Sequence, residues 1–298
     1  MPEAAIELKR VTKEFKGKKA VDQLSFTVER GTVVALLGPN GAGKTTTISM
    51  ILGLINPSSG TVKLLGGDPQ DRQVRDRIGA MLQDVSVIEG LTVAETINLF
   101  RSYYSQPLPL EQLLQISGLS DERNKMAAAM SGGQKRRLGF ALAAAGDPDV
   151  LFLDEPTVGM DVTSRQLFWD TVKAMAGKGR TIVLTTHYLE EADQVADRII
   201  VINDGKLAAD GTPSQIKATT TGRTISFTAG EAVTSQSLRN ISGIVDIEWN
   251  GRRVKLYSND TDRLITDLIR ADLEMTDIEI VSGGLEEAFR SLVSAAKL

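Results

Sequence analysis

A glycine-rich stretch near the start of the chain has the residue types and spacing of a phosphate-binding loop. Residues 38–45 read GPNGAGKT and fit the pattern G-x-x-x-x-G-K-[ST]. The glycines let the backbone turn so that successive N–H groups point inward, and the start of a following helix adds positive partial charge. In such a loop Lys44 reaches the β- and γ-phosphates, and the Thr45 hydroxyl binds Mg²⁺. The stretch therefore predicts a nucleoside triphosphate site.

Two adjacent carboxylates follow a second apolar run, at 150–153. Asp154 and Glu155 come directly after this run, and Pro156 ends it. Mg²⁺ beside a triphosphate is usually held by one or two carboxylates together with phosphate oxygens, and hydrolysis also needs a group that positions or deprotonates water. Asp154 suits the first role and Glu155 the second. The alternative is an ordinary pair of solvated acids at a strand end.

Single polar residues follow two further predicted strands. His187, which is the one histidine of the chain, comes after the run that ends at Thr186, and Gln83 comes after Leu82. In an open parallel sheet, ligands bind outside the carboxyl ends of the strands. His187 would therefore donate a hydrogen bond to the γ-phosphate or to the network of the attacking water, and Gln83 would offer its amide to the metal or the water. A structural role for either residue stays open on this pattern.

A second glycine-containing stretch precedes an apolar helical pattern. Ser131-Gly132-Gly133-Gln134 is followed by apolar residues at 138, 141, 142 and 145. Serine and glycine at the start of a helix leave free N–H groups and a hydroxyl for an anion. The same residues also describe a helix that is simply well capped, so both interpretations stay open.

The elements that must position these residues alternate between strands and helices. Strands are predicted at 6–15, 24–28, 32–37, 61–65, 77–82, 150–153, 181–185 and 199–202, with a hairpin into 206–209. Helices are predicted from an apolar stripe at 48, 51, 52 and 55, at 163–176 and at 189–195, and a helical segment spans about 84–146 with a capping box at Thr92 and Glu95. This alternation favours an α/β fold with a mostly parallel, covered sheet.

The last part of the chain has a different pattern. A short helix and linker at 211–222 lead to strands at 224–227, 244–249, 254–257 and 278–281 and to helices at 233–241, 264–273 and 285–293. The order β-α-β-β-α-β is that of a ferredoxin-like α+β unit. We therefore predict a nucleotide-binding domain at 1–219 and a small accessory domain at 220–298.

Composition excludes several classes of protein. The 298 residues carry a formal net charge of -4, so no overall basic field draws the chain to nucleic acid or anionic lipid. The chain contains no cysteine, hence neither a disulfide nor a thiolate metal site. The N-terminus lacks the features of a secretory signal, and no run approaches the ~18 apolar residues of a membrane span. We expect any role at a membrane to require a partner protein.

Together these residues resemble the ATP-binding cassette of ABC transporters from about residue 6 to 219. In that resemblance 38–45 with Thr46 is Walker A, 150–155 is Walker B, 130–134 is the signature, and 158–161 is the D-loop. Met130 stands where the family more often has leucine, a mild departure because both are apolar, and Met160 likewise stands where leucine more often precedes the D-loop aspartate. The resemblance implies a P-loop NTPase fold, that is, a RecA-like core with antiparallel β strands and a helical subdomain.

The resemblance also implies roles for individual residues. Catalytic roles fall to Gln83, Glu155 and His187, and the Mg²⁺ ligands to Thr45, Gln83 and Asp154. ATP binding falls to Phe15, whose ring would stack on adenine, and to Gly38, Asn40, Gly41, Gly43, Lys44, Thr45 and Thr46. Contacts to the ATP of a second cassette, in trans, fall to Ser131, Gly132, Gly133, Gln134 and Asp161. A core position for Phe15 remains the rival interpretation.

A single cassette without a membrane span resembles the detached ATPase subunit of a transporter. The expected partners are a second cassette, most simply another copy of this chain, and a separate polytopic permease, with no nucleic acid. The expected location is the cytoplasmic face of the cell membrane. The end of the chain, 284–289, is similar to that of bacterial multidrug and antibiotic exporters of the daunorubicin-resistance type, which implies export of a drug, antibiotic or lipid-like molecule. Alternatives are an ABC ATPase acting on nucleic acid or ribosomes, and an importer ATPase with a regulatory C-terminal domain.

Overall fold

The computed structural model describes residues 3–83, 87–218, 223–239, 241–258, 260–271, 273–282 and 284–295. These residues form two compact units, Met1–Thr212 and Pro213–Leu298. The boundary predicted at 219/220 lies outside the described residues, as does the predicted start of the helical segment at residue 84.

The first unit contains two sheets. Its strands are β1 (Ala4–Phe15), β2 (Lys18–Glu29), β3 (Val33–Leu37), β4 (Ser59–Leu64), β5 (Ile78–Met81), β6 (Val150–Asp154), β7 (Thr181–Thr185), β8 (Arg198–Asn203) and β9 (Lys206–Gly211). The larger sheet has the order β5-β6-β7-β3-β8-β9 and is parallel except for β9, which pairs antiparallel with β8. This confirms the predicted α/β fold and the hairpin after β8.

The strands at the centre of the larger sheet are covered on both faces. Every residue of β3, β6 and β7 is buried, which explains why these strands read as continuous apolar runs rather than as alternating ones. The second sheet, with the order β2-β1-β4, is antiparallel. It shares one hydrophobic core with the parallel sheet, so Leu8 and Phe26 pack in the same cluster as Phe152 and Val183.

Helices connect the strands of the first unit. They are α1 (Lys44–Ile51), α2 (Arg72–Arg75), α3 (Val93–Arg101), α4 (Leu110–Ile116), α5 (Gly132–Ala144), α6 (Val162–Ala176) and α7 (Leu189–Val195). The capping box at the start of α3 is confirmed, because Thr92 and Glu95 exchange side-chain and backbone hydrogen bonds. The apolar residues of α3, α4 and α5 form a separate core.

Helix α1 is shorter than its apolar stripe predicts. It ends at Ile51, whereas the stripe continues to Ile55. Gly53 has φ +66°, a left-handed conformation that ends a helix, and a Cβ there would lie 3.0 Å from the backbone of Pro69. Ile55 nevertheless packs against the main core from beyond the helix. The apolar residues of the stripe are thus packed in the core, although the helix does not extend to the last of them.

The second unit has its own sheet and core. Its elements are α8 (Pro213–Ala218), β10 (Arg223–Ala229), α9 (Ser235–Arg239), β11 (Ile244–Asn250), β12 (Arg253–Ser258), α10 (Thr261–Arg270), β13 (Met275–Ser282) and α11 (Leu285–Ala295). The strands pair antiparallel in the order β11-β12-β10-β13. Helix α10 begins three residues before the predicted start because Asp260 caps it by accepting the N–H of Arg263, and it ends at Arg270, before the predicted end.

Candidate functional site

The strand order brings the candidate residues together at the carboxyl ends of the parallel strands. β5, β6, β7 and β3 are neighbours and run in the same direction, so their carboxyl ends lie side by side. Gln83 follows β5, Asp154 ends β6 with Glu155 directly after it, and His187 follows β7. The glycine loop follows β3. Four segments that are distant in sequence therefore meet where ligands bind in this class of sheet.

Close packing fixes the glycine loop in place. A Cβ on Gly38 would lie 2.2 Å from the carbonyl oxygen of Ile202, and one on Gly43 would lie 2.4 Å from that of Ala20. Gly43 also has φ +102°, which side chains rarely adopt. These two glycines are required by the folded loop itself, and the loop that they form opens directly into helix α1.

The Lys44 side chain lies folded over its own loop. Its Nζ donates to the carbonyl oxygens of Gly38 at 2.7 Å and Pro39 at 3.1 Å. Burial lowers the pKa of Lys44, and the carboxylates of Glu155 and Asp154 act in the opposite direction. The amine is thus a partly desolvated cation with only carbonyl partners in these bonds.

Asp154 is held by a residue that the sequence analysis did not single out. The carboxylate is buried, and the Thr185 hydroxyl donates to it while accepting the backbone N–H of Glu155 at 3.1 Å. Thr185 ends β7, the strand that pairs with β6. In the sequence, the signal for this role of Thr185 was a hydroxyl at the carboxyl end of a buried strand, directly beside the segment that contains His187.

Glu155 contacts the other two candidate catalytic residues. Its Oε1 lies 2.7 Å from the Nε2 of His187, and its Oε2 accepts a hydrogen bond of 3.5 Å from the Gln83 amide. Glu155 has φ +49°, a left-handed conformation that costs energy in a residue other than glycine. The His187 side chain remains 47% exposed, so this face of the cluster is open to solvent.

The residues present fit a Mg²⁺-bound nucleoside triphosphate. The first N–H groups of α1 lack intrahelical acceptors, as in any helix, and Lys44 adds a cation beside them. One buried carboxylate, a threonine hydroxyl and a glutamine amide are oxygen donors of the kind that suits Mg²⁺ when phosphate and water complete its shell. Among the described residues no group of three or more His, Asp or Glu side chains forms a self-sufficient metal site. A metal at this edge would thus depend on the phosphates.

The Ser131–Gln134 segment caps its own helix. Ser131 Oγ accepts the N–H of Gln134 at 3.3 Å, and Gln134 Oε1 accepts the N–H of Ser131 at 3.0 Å. The Gln134 side chain is held further by Lys125 and Glu122. The structure places the segment at the N-terminus of the 13-residue helix α5.

The start of α5 touches the segment after Walker B. A Cβ on Gly133 would lie 3.0 Å from the carbonyl oxygen of Gly159, which itself has φ +78°. Asp161 caps α6, where it accepts the N–H and the hydroxyl of Ser164, each at 2.8 Å. These hydrogen bonds, the backbone one first, lower the pKa of Asp161. Gly133 and Asp161 thus belong to neighbouring segments of one unit.

Phe15 lies at the end of β1, away from the core. Its side chain is 48% exposed, and the Lys13 amine lies 5.1 Å from the centre of its ring. The core interpretation of this phenylalanine is therefore wrong, since a core residue would be buried. An exposed ring is available to stack on a planar ligand.

The described part of the chain contains no helix long and apolar enough to cross a membrane.

Comparison with protein families matches the ABC transporter family over residues 21–158. Among characterised relatives, the Nod factor export ATP-binding protein I of Burkholderia lata is 41% identical and covers 72% of this chain and 72% of its own length. The daunorubicin/doxorubicin resistance ATP-binding protein DrrA of Streptomyces peucetius is 36% identical over 98% of this chain and 93% of its own.

Solved structures give the same picture. An ATP-binding subunit of an ABC transporter superposes with a TM-score of 0.67 at 28% identity and covers 72% of this chain and 92% of its own. A dimeric post-hydrolysis state of the cassette MJ0796 bound to ADP and Pi has a TM-score of 0.64 at 26% identity, over 70% of this chain and 98% of its own. The structural likeness thus covers a length close to that of the first unit.

Proposed function

Because the chain belongs to the ABC transporter family and is the ATP-hydrolysing subunit of an exporter, we propose that two copies of it close on two ATP molecules and reopen after hydrolysis. Closure and reopening then drive a separate polytopic permease. The observation that carries this proposal is the meeting of the glycine loop, Asp154, Glu155 and His187 at the carboxyl ends of the three adjacent strands β3, β7 and β6. A binding-only module would not need the carboxylate and the histidine in contact.

Glu155 is the group that positions or deprotonates the attacking water. His187 donates to this carboxylate across 2.7 Å and keeps it oriented, and its side chain, 47% exposed, would be accessible to the γ-phosphate. Gln83 adds a weaker contact of 3.5 Å on the other carboxylate oxygen. Lys44 turns from its own carbonyl partners to the phosphates, where its charge offsets that of the triphosphate.

Mg²⁺ belongs beside Asp154. Thr45, Gln83 and Asp154 would hold it together with phosphate oxygens, and it would supply charge neutralisation of the β- and γ-phosphates. The Thr185 hydroxyl restrains the Asp154 carboxylate, so its orientation is already set before the nucleotide arrives.

The second copy supplies the other half of each ATP site. In a head-to-tail pair, the γ-phosphate held by Lys44 of one subunit meets the signature segment of the other, which consists of Ser131, Gly132, Gly133 and Gln134. Asp161 couples the two ATP sites across the interface. The N-terminus of the long helix α5 suits that anion, because its macrodipole and free N–H groups favour negative charge. The dimeric form of the MJ0796 cassette supports pairing of this kind. Pairing that requires ATP makes the dimer a nucleotide-dependent switch.

The second unit is a ferredoxin-like accessory domain, and the exported molecule is a drug, antibiotic or lipid-like compound. The β-α-β-β-α-β order of elements and the strand order β11-β12-β10-β13 support the fold. The drug-resistance relative aligns over 98% of the chain, a coverage that includes the second unit, and this supports a drug-like substrate. The subunit works at the cytoplasmic face of the membrane that holds its permease.

The experiment that tests the motor compares Glu155→Gln with the wild type. Replacing the carboxylate by an amide keeps the shape but removes the base, so we expect unchanged ATP binding, loss of hydrolysis by at least about 100-fold, and a dimer that persists in ATP. Steady-state phosphate release and size-exclusion chromatography in ATP and Mg²⁺ measure these effects. Glu190→Gln, the same change at an exposed glutamate, is the control. Normal turnover by the Glu155 variant would remove the proposed mechanism.

A further inference from the structure

We propose that Glu191 is a positioning residue that holds the segment after Glu155 and the segment around His187 in one arrangement. The inference rests on the roles proposed above for Glu155 and His187. Glu191 lies in the first turn of α7 and is only 6% exposed, although it carries a carboxylate. A buried carboxylate is costly unless its oxygens accept hydrogen bonds, so its partners indicate why it is there.

One carboxylate accepts hydrogen bonds from two buried hydroxyls on two different segments. Thr157 Oγ1 donates to Glu191 Oε1 at 2.8 Å and to Oε2 at 3.0 Å, and Thr186 Oγ1 donates to Oε2 at 3.0 Å. Thr157 is two residues after Glu155, and Thr186 immediately precedes His187. Glu191 therefore connects the two chain segments whose side chains make the contact of 2.7 Å between Glu155 and His187.

Further contacts extend this connection on both sides of His187. The Thr186 hydroxyl accepts the backbone N–H of Tyr188 at 2.9 Å, so the residues flanking His187 are tied to the same group. On α6, Arg165 Nε lies 3.4 Å from Glu191 Oε1, an ion pair without hydrogen-bond geometry, and its guanidinium lies 4.6 Å from the centre of the Tyr188 ring. The contacts of Glu191 thus extend to α6, the helix that Asp161 caps.

The chemical consequence concerns turnover rather than ATP binding. The glycine loop follows β3, and Lys44 is the first residue of α1. Neither makes a contact with the Glu191 cluster in the bonds described above. Loss of the carboxylate leaves two buried hydroxyls without their acceptor and frees the two segments to shift relative to each other. A catalytic pair displaced by about 1 Å loses up to about 100-fold in rate, while the phosphate site is unchanged. The contacts of Glu191 described above are with Thr157, Thr186 and Arg165, so it acts on Glu155 and His187 through its neighbours.

The test uses the full chain carrying Glu191→Gln, which keeps the shape of the side chain but replaces one acceptor oxygen by a donor. We expect kcat for ATP hydrolysis to fall about 10- to 100-fold, with KM and the Kd for ATP changed less than about twofold. Glu190→Gln is the matched control, since it makes the same change one residue away at an exposed site. A Glu191 variant that unfolds at lower temperature but keeps full kcat when folded would show a merely structural role and overturn the proposal.

A double-mutant cycle tests the route through the hydroxyls. Thr186→Val and Thr157→Val each remove one hydroxyl at nearly constant size, and each should lower kcat in the wild type but change it by less than about twofold when Glu191→Gln is already present. Effects that multiply in the double variants would overturn the proposed coupling. Glu155→Gln is assayed in parallel. If it is inactive while Glu191→Gln is normal, this inference alone fails; if Glu155→Gln itself turns over normally, the proposed catalytic roles fail first.

Discussion

At the scale of single residues, chemistry depends on what surrounds a side chain rather than on its type alone. Lys44 illustrates this, because burial lowers its pKa while two nearby carboxylates partly restore it. A charged amine in such a place is costly when its hydrogen bonds go only to carbonyl oxygens, as they do to Gly38 and Pro39. The arrangement favours an anion that arrives from solution. ATP therefore supplies the anionic hydrogen-bond acceptor that Lys44 does not have in its bonds to Gly38 and Pro39.

Lys44→Ala should weaken ATP binding about 10- to 100-fold, because a charge-assisted hydrogen bond to phosphate contributes roughly 1.5–3 kcal/mol. The direction in which ATP binding changes with pH also follows. Since the pKa of Lys44 lies below the ordinary value of 10.5, the free protein loses this proton earlier as pH rises, and bound phosphate restores it. We therefore expect ATP affinity to fall, and binding to take up protons, as pH rises toward the ordinary lysine value of 10.5 from below.

Calorimetric titration with ATP in buffers of different ionisation enthalpy measures this proton uptake. The Lys44 variant should show no uptake in that range, and Lys178→Ala, which removes an exposed lysine, should behave as the wild type. Equal proton uptake in the wild type and the Lys44 variant would contradict the assignment.

At the scale of elements, caps and turns decide where segments begin. Asp161 starts α6 by accepting from Ser164, and Ser131 starts α5 through a capping box with Gln134. Both residues are also candidates for contacts across a dimer. Local capping sets their backbone conformation before any partner binds, which means that binding need not order these segments.

Removal of the Asp161 cap should destabilise the chain in a pH-dependent way. The N–H and hydroxyl of Ser164 hold the pKa of Asp161 below its ordinary value of 3.8. A lowered carboxyl pKa gives stability that is fully present above the ordinary value and is lost as pH falls through the folded-state pKa. The difference in unfolding free energy between the wild type and Asp161→Ala should therefore be constant from about pH 5 to 7 and shrink below about pH 4.

Urea unfolding followed by circular dichroism at several pH values gives this difference. Asp121→Ala, at an exposed site, serves as the control and should change little at any pH. A difference for Asp161→Ala that grows as the solution is acidified would contradict the capping account.

At the scale of the whole molecule, the chain divides into two units that each contain a hydrophobic core. The first has a core shared by the parallel and antiparallel sheets, and the second has a separate cluster around Phe227 and Leu256. A domain with its own core is able to fold alone. The candidate ATP site lies entirely within the first unit, at the edge formed by β5, β6, β7 and β3.

A chain limited to residues 1–212 should therefore fold and bind ATP with a Kd within about threefold of the full-length value, and 213–298 should fold without binding ATP. Circular dichroism and ATP titration of each piece check this. Export activity in cells should require the full chain, if the second unit serves the transporter as proposed. A fragment 1–212 that fails to fold, while the full chain folds normally, would show that the two units stabilise each other.

The sequence by itself determined which residues have chemistry to offer and most of the elements around them. The pattern at 38–45, the carboxylates after β6 and the histidine after β7 are local features, because loop geometry and strand burial are encoded by neighbouring residues. Local signals were weaker where packing overrides propensity. Helix α1 therefore ended at Ile51 although its apolar stripe continued to Ile55.

Only the tertiary structure decided which of these residues meet. The order β5-β6-β7-β3 is set by how helices cover both faces of the sheet, and it brings Gln83 and His187 to opposite oxygens of Glu155. Glu191 shares the helical face of the buried Ala192 and Val195, yet nothing local distinguishes it from the exposed Glu190 as a partner for Thr157 and Thr186. Hydrogen bonds between segments distant in sequence form only once the core has aligned them, so the chain order alone does not reveal them.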